Sequence, residues 1–86
     1  MSYNVKSIAV FEKQAKRLVK KYASLKKELL ALVLELKENP KQGKALGNGC
    51  FKIRIAIGSK GKGKSCGARI ITNFVITNAT VYLLSI

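Results

Sequence analysis

Histidine, aspartate and tryptophan are all absent from the 86 residues, and only four carboxylates remain, every one a glutamate: Glu12, Glu28, Glu35 and Glu38. These absences remove whole mechanisms. Without histidine there is no Ser/His/Asp triad and no histidine-ligated zinc, and without aspartate there is no Asp to hold a catalytic magnesium. The two cysteines, Cys50 and Cys66, cannot complete a zinc site by themselves. No apolar leader opens the chain, and the longest apolar run, Leu29 to Leu34, is far too short to cross a bilayer. The expected location is therefore the cytoplasm, with both thiols free.

What is abundant is positive charge. Seventeen Lys and Arg give a formal net charge of +13, and nothing after Glu38 is acidic. Polyanions are the natural partners of such a surface, with nucleic acid first, an acidic protein second and an anionic membrane third. An apolar content of 48% shows that this is no disordered basic tail. The length fits one domain, residues 1–86, with room for a single core.

Along the chain, Tyr3 to Lys6 alternates like a short strand, and Ser7 is a plausible cap for the helix after it. Phe11, Ala15, Leu18, Val19 and Tyr22 recur at helical spacing, with Lys13, Lys16, Arg17, Lys20 and Lys21 between them. Ala23-Ser24 interrupts this basic helix. Leu25, Leu29, Leu32, Val33 and Leu36 then repeat the same spacing until Asn39-Pro40 ends it, which predicts a helical hairpin. Residues 40–49 read as a connector without apolar periodicity. Phe51, Ile53, Ile55 and Ile57 alternate with Lys52, Arg54 and Ala56, so a strand buries one face and presents two cations on the other. Arg69 to Ile76 and Thr80 to Ile86 read as two further strands turning at Thr77-Asn78-Ala79. The expected class is α+β, in the order β-α-α-β-β-β.

The last strand is apolar on both faces, which predicts an edge that needs cover, from a partner or from a C-terminal segment beyond Ile86; the alternative, a strand lying centrally in the sheet under the helices, accounts for one covered face but not two. Tyr82 on that strand can serve a site only if it faces the cationic groove; the competing placement is a core or edge aromatic.

Between the strands lies Gly58-Ser59-Lys60-Gly61-Lys62-Gly63-Lys64-Ser65-Cys66-Gly67. Its Gly58 and Gly63-Lys64-Ser65 satisfy the phosphate-loop pattern of nucleotide-binding proteins letter by letter. That loop needs a helix behind it, and here a β-rich run follows, so no nucleotide cofactor is expected. The same loop reads as a polycationic arm in which glycines let Lys60, Lys62 and Lys64 approach a phosphodiester backbone. Lys52, Arg54 and Arg69 converge on it from the adjoining strands.

Phe51-Lys52-Ile53-Arg54-Ile55-Ala56, the glycine and lysine loop, and Lys64-Ser65-Cys66-Gly67-Ala68-Arg69-Ile70-Ile71 resemble the RelE/HigB toxins of bacterial type II toxin–antitoxin modules. The order of elements resembles that family over nearly the whole chain, including the basic hairpin with Lys20-Lys21-Tyr22-Ala23-Ser24-Leu25. The resemblance implies a ribonuclease that cleaves mRNA on the ribosome in the bacterial cytoplasm, by attack of the 2′-OH on the adjacent phosphate, restrained by an acidic antitoxin. By that likeness Arg54, Arg69 and Lys64 are the candidate catalytic residues, and Lys52, Lys60, Lys62 and Lys64 the candidates for holding RNA. No cofactor, metal or membrane is implied. The family usually continues into a tail that brings a further catalytic side chain to the site, so a shortened chain leaves a second reading open: a non-catalytic module binding RNA, the ribosome or an antitoxin.

Overall fold

The computed structural model describes residues 3–56 and 67–86. Strand β1 (Asn4–Ser7) leads into helices α1 (Ala9–Lys21) and α2 (Leu25–Glu38), followed by strands β2 (Lys44–Gly47), β3 (Cys50–Ala56), β4 (Gly67–Val75) and β5 (Thr80–Ser85). One five-stranded sheet results, in the order β1-β5-β4-β3-β2. β1 runs parallel to β5 and the other neighbours are antiparallel. This is the α+β architecture that the periodicities predict, with one additional short strand.

Both helices pack on the same face of the sheet. Phe11 and Ala15 of α1 and Leu32 and Leu36 of α2 close over Ile53, Ile70, Val81 and Leu83, and these eight form the buried core. Helical spacing supplies one side and strand alternation the other. The break between the helices falls at Ala23-Ser24, and Asn39 caps α2 just ahead of Pro40, as expected. No described helix is long and apolar enough to cross a membrane.

Three local expectations are corrected. Ser7 does not cap α1. It pairs with Leu83 in the parallel ladder, and Ile8 donates its N–H to Leu83 O at 3.3 Å, so the ladder carries the chain past Ser7. Ile8 takes the N-cap position instead, in extended geometry and without a side-chain cap.

The connector is not featureless. Lys44–Gly47 pairs with β3 through a two-residue turn, Asn48-Gly49, in which both residues have positive φ (52° and 78°). Such turns match the twist of flanking strands, and Asn-Gly is their preferred sequence.

The last strand takes the central placement rather than the edge. β5 lies between β1 and β4, so its backbone is paired on both sides. Beyond a bulge at Leu84, Ile86 packs against the core and donates its N–H to Gln14 Oε1 at 3.2 Å. The exposed edges belong to β1 and β2, each only four residues long, which limits their capacity to recruit other strands.

Two tests follow. Gly43 has φ +90°, and a Cβ there would run into Lys52 O and lie 2.8 Å from Ile53 Cγ1; Gly47 has φ +95° with nothing within 4 Å. Gly47→Ala therefore costs only its backbone conformation, about 1–2 kcal/mol, and Gly43→Ala adds roughly 1–3 kcal/mol of steric strain. Urea midpoints for the two variants should rank in that order. Thr72 is fully buried and its Oγ1 has no hydrogen-bond partner. Thr72→Val keeps the branched shape and should raise stability by about 1 kcal/mol in the same experiment.

Candidate functional site

Among the described residues the helices cover one face of the sheet and no element covers the other, and the register decides what that open face carries. β3 and β4 pair without interruption from Cys50↔Asn73 to Ala56↔Gly67. Within this ladder Arg54 stands directly opposite Arg69, with Cα atoms about 5 Å apart. Directly opposed residues point to the same side of a sheet. Ile53 and Ile70, one step along, are buried beneath the helices, so Arg54 and Arg69 point outward, and both are exposed.

The next outward row extends this patch. Lys52 pairs with Ile71 on one side and with Lys44 of β2 on the other. Lys44 is exposed and Lys52 half-buried. A third row runs Cys50, Asn73, Tyr82 and Lys6, one residue from each of β3, β4, β5 and β1. Tyr82 therefore faces the cationic side rather than the core, and its hydroxyl accepts a hydrogen bond from Asn78 Nδ2 at 3.1 Å. The open face thus carries Lys44, Lys52, Arg54, Arg69 and Lys6 within a few strand spacings of about 4.8 Å.

Like charges placed directly across a ladder repel, and Arg54–Arg69 and Lys44–Lys52 are both such pairs. No packing need explains two guanidinium groups side by side. What the arrangement can do is hold one anion from two sides, because a guanidinium offers parallel donors matched to phosphate oxygens.

Of the sequence candidates, the structure brings Lys52, Arg54 and Arg69 together on one face. Lys60, Lys62 and Lys64, with the rest of the glycine-rich loop and Cys66, lie outside the described residues. Lys44, Lys6 and Asn73 join the face without having been anticipated. The Asn48-Gly49 dipeptide was the available signal for Lys44; Lys6 arrives only through the parallel pairing of β1 with β5. The apolar residues Ile71, Val75 and Leu84 are each half-buried.

A second concentration of charge lies on α1. Lys13, Lys16, Arg17, Lys20 and Lys21 line an open hollow of about 550 Å³, with Lys21 Nζ 5.4 Å from the centre of the Tyr22 ring.

No protein-family model matches the sequence, and no curated protein matches it. Among solved structures, the E. coli toxin RelE, in a form with two arginines changed to alanine and in the free state, shares the fold. The TM-score is 0.74 at 20% sequence identity, covering 99% of this chain and 81% of that one. The chain has a RelE-like fold.

The repulsion is measurable. Arg69→Gln should stabilise the free protein by a few tenths of a kcal/mol in dilute buffer, and the gain should shrink in about 0.5 M salt, where the screening length falls to a few ångströms. A gain unchanged by salt, or a loss, would show that the two arginines do not oppose each other.

Proposed function

We propose that the protein is the toxin of a toxin–antitoxin pair, an endoribonuclease that cuts mRNA on the ribosome in the bacterial cytoplasm. The observation carrying this reading is the register pair Arg54↔Arg69 on the open sheet face, with Lys52 beside it, in a RelE-like fold.

The chemistry suits an enzyme without histidine. The 2′-OH of one nucleotide attacks the adjacent phosphorus, the O2′–P bond forms, the P–O5′ bond breaks, and the products end in a 2′,3′-cyclic phosphate and a 5′-OH. A base must take the 2′ proton and an acid must supply one to O5′. Lysine is the base this sequence can supply in the absence of histidine; Lys64 is the candidate carried by the family likeness and Lys52 is the lysine nearest the arginine pair in the ladder. Arg54 and Arg69 bracket the phosphate and stabilise the charge that gathers on its non-bridging oxygens in the transition state.

An enzyme of this kind needs restraint. The five cations along α1 offer an acidic antitoxin a docking face separate from the RNA face, so inhibitor and substrate meet different cationic surfaces.

The test is to incubate the protein with ribosomes translating a defined mRNA and to map new 5′ ends. Arg54→Ala and Arg69→Ala, with circular dichroism unchanged, should each lower cleavage by about 10²–10³-fold. Binding to single-stranded RNA should weaken with salt at a log–log slope near −3.5 if about five phosphates are neutralised. Salt-sensitive binding with no cleavage at any concentration would replace the enzyme by a binding module. A slope near zero would remove both readings.

A further inference from the structure

Resting on that RNA-binding reading, the third row of the open face carries more than charge. We propose that Tyr82, set between Asn73 and Lys6, is a base-stacking subsite for a nucleotide of single-stranded RNA beside the one held by the arginine pair.

The placement is fixed by three ladders. Asn73 lies four residues along β4 from Arg69, about 13 Å on the same face. Tyr82 is paired with Asn73 on one side and Lys6 on the other. An aromatic serving only the core would point toward Val81 and Leu83, which are buried beneath the helices. Tyr82 instead points to the opposite side, between two polar neighbours, and is half-buried.

Each neighbour has a role that fits a nucleotide. Tyr82 offers a π-face on which any base can stack, and the hydrogen bond from Asn78 Nδ2 to its hydroxyl restrains the ring. Asn73 donates through Nδ2 to Asn48 O at 3.1 Å and to Cys50 Sγ at 3.3 Å. Its two amide hydrogens are directed at the β2–β3 turn, which leaves the carbonyl oxygen as the group it offers a base edge. Lys6, exposed on β1, supplies a cation for the phosphate of the stacked nucleotide. The arginine pair marks where the backbone is gripped, and the Tyr82 row gives the strand a direction across the sheet, from β3 and β4 toward β1.

The test uses the full chain and a short 2′-O-methyl RNA, which cannot be cleaved, carrying an abasic site at each position in turn. Binding is read by fluorescence anisotropy. Stacking also quenches tyrosine emission, which is legible because the protein has no tryptophan. With the unaltered protein, one abasic position should weaken binding by roughly 5- to 100-fold. Tyr82→Leu, which keeps apolar bulk without a ring, should weaken binding to intact RNA by a similar factor and become indifferent to that abasic position. Tyr82→Phe should bind like the parent and remain sensitive. If Tyr82→Leu is folded and binds like the parent, or stays sensitive to the abasic position, the subsite is wrong. So is it if no abasic position matters to the unaltered protein, a result that needs no variant to fold. Loss of binding in Arg54→Ala alongside any of these results leaves the RNA reading standing and removes only the subsite. An unaltered protein that binds no RNA removes both.

Discussion

The uninterrupted pairing of β3 with β4 is the constraint on which the rest of the structure depends. Seven consecutive pairs place Ile53 and Ile70 under the helices and Arg54 and Arg69 on the opposite side. Side chains alternate with a period of two, so a slip of one residue would offset Arg54 from Arg69 and pair it with buried Ile70. The core therefore enforces the position of the cations. The apolar residues that stabilise the domain and the basic residues of the open face are alternate members of the same two strands, and neither set can move without the other.

Self-repulsion is the cost of this design. A domain of this size has a small stability margin, yet it carries seventeen cations against four carboxylates, and two of its cross-strand pairs on the open face join like charges. The core does not need that arrangement, because polar uncharged residues would satisfy the solvent side of β3 and β4 equally well. A bound polyanion would relieve the repulsion, and the free energy withheld from folding would then return as binding free energy. Charge segregation sharpens the point: Glu12, Glu28, Glu35 and Glu38 all sit on the two helices, and the sheet face opposite them has no carboxylate to compete with an incoming phosphate.

Local patterns were legible and distant pairings were not. The alternation of Phe51, Ile53 and Ile55 with Lys52 and Arg54 announced both the strand and its two faces, because burial on one side of a pleat writes itself into the sequence at period two. The apolar stripes of α1 and α2 and the stop at Asn39-Pro40 were equally plain. β2 escaped because Lys44–Gly47 is exposed at every position and has no buried face to advertise. It is specified by its turn, where Asn48 and Gly49 accept positive φ, and the Asn-Gly pair was the sign to read. Ser7 misled because its chemistry suits a cap while its backbone is committed to β1. The open face was half legible: Arg54 and Arg69 could be grouped by parity alone, whereas Lys44 and Lys6 joined them through strand neighbours that no local pattern encodes.

The position of β5 shows how one long-range pairing can reverse the meaning of a segment. Read alone, Thr80 to Ile86 is apolar on both sides and resembles an unprotected edge. Parallel pairing with β1, through Asn4↔Thr80 to Ser7↔Leu83, makes it an interior strand. Its N-terminal partner is itself anchored, because Tyr3 donates its N–H to Lys37 O at the end of α2 at 2.8 Å. Val81 and Leu83 then account for the covered face. On the opposite face, Tyr82 needs no cover: with Lys6 on one side and Asn73 on the other it belongs to the polar face, while Ile86, beyond the bulge at Leu84, packs against the core. The same pairing that removes the edge thus carries an aromatic ring and a further cation to the side of the sheet where Arg54 and Arg69 lie. It joins the first residues of the chain to the last in one continuous surface.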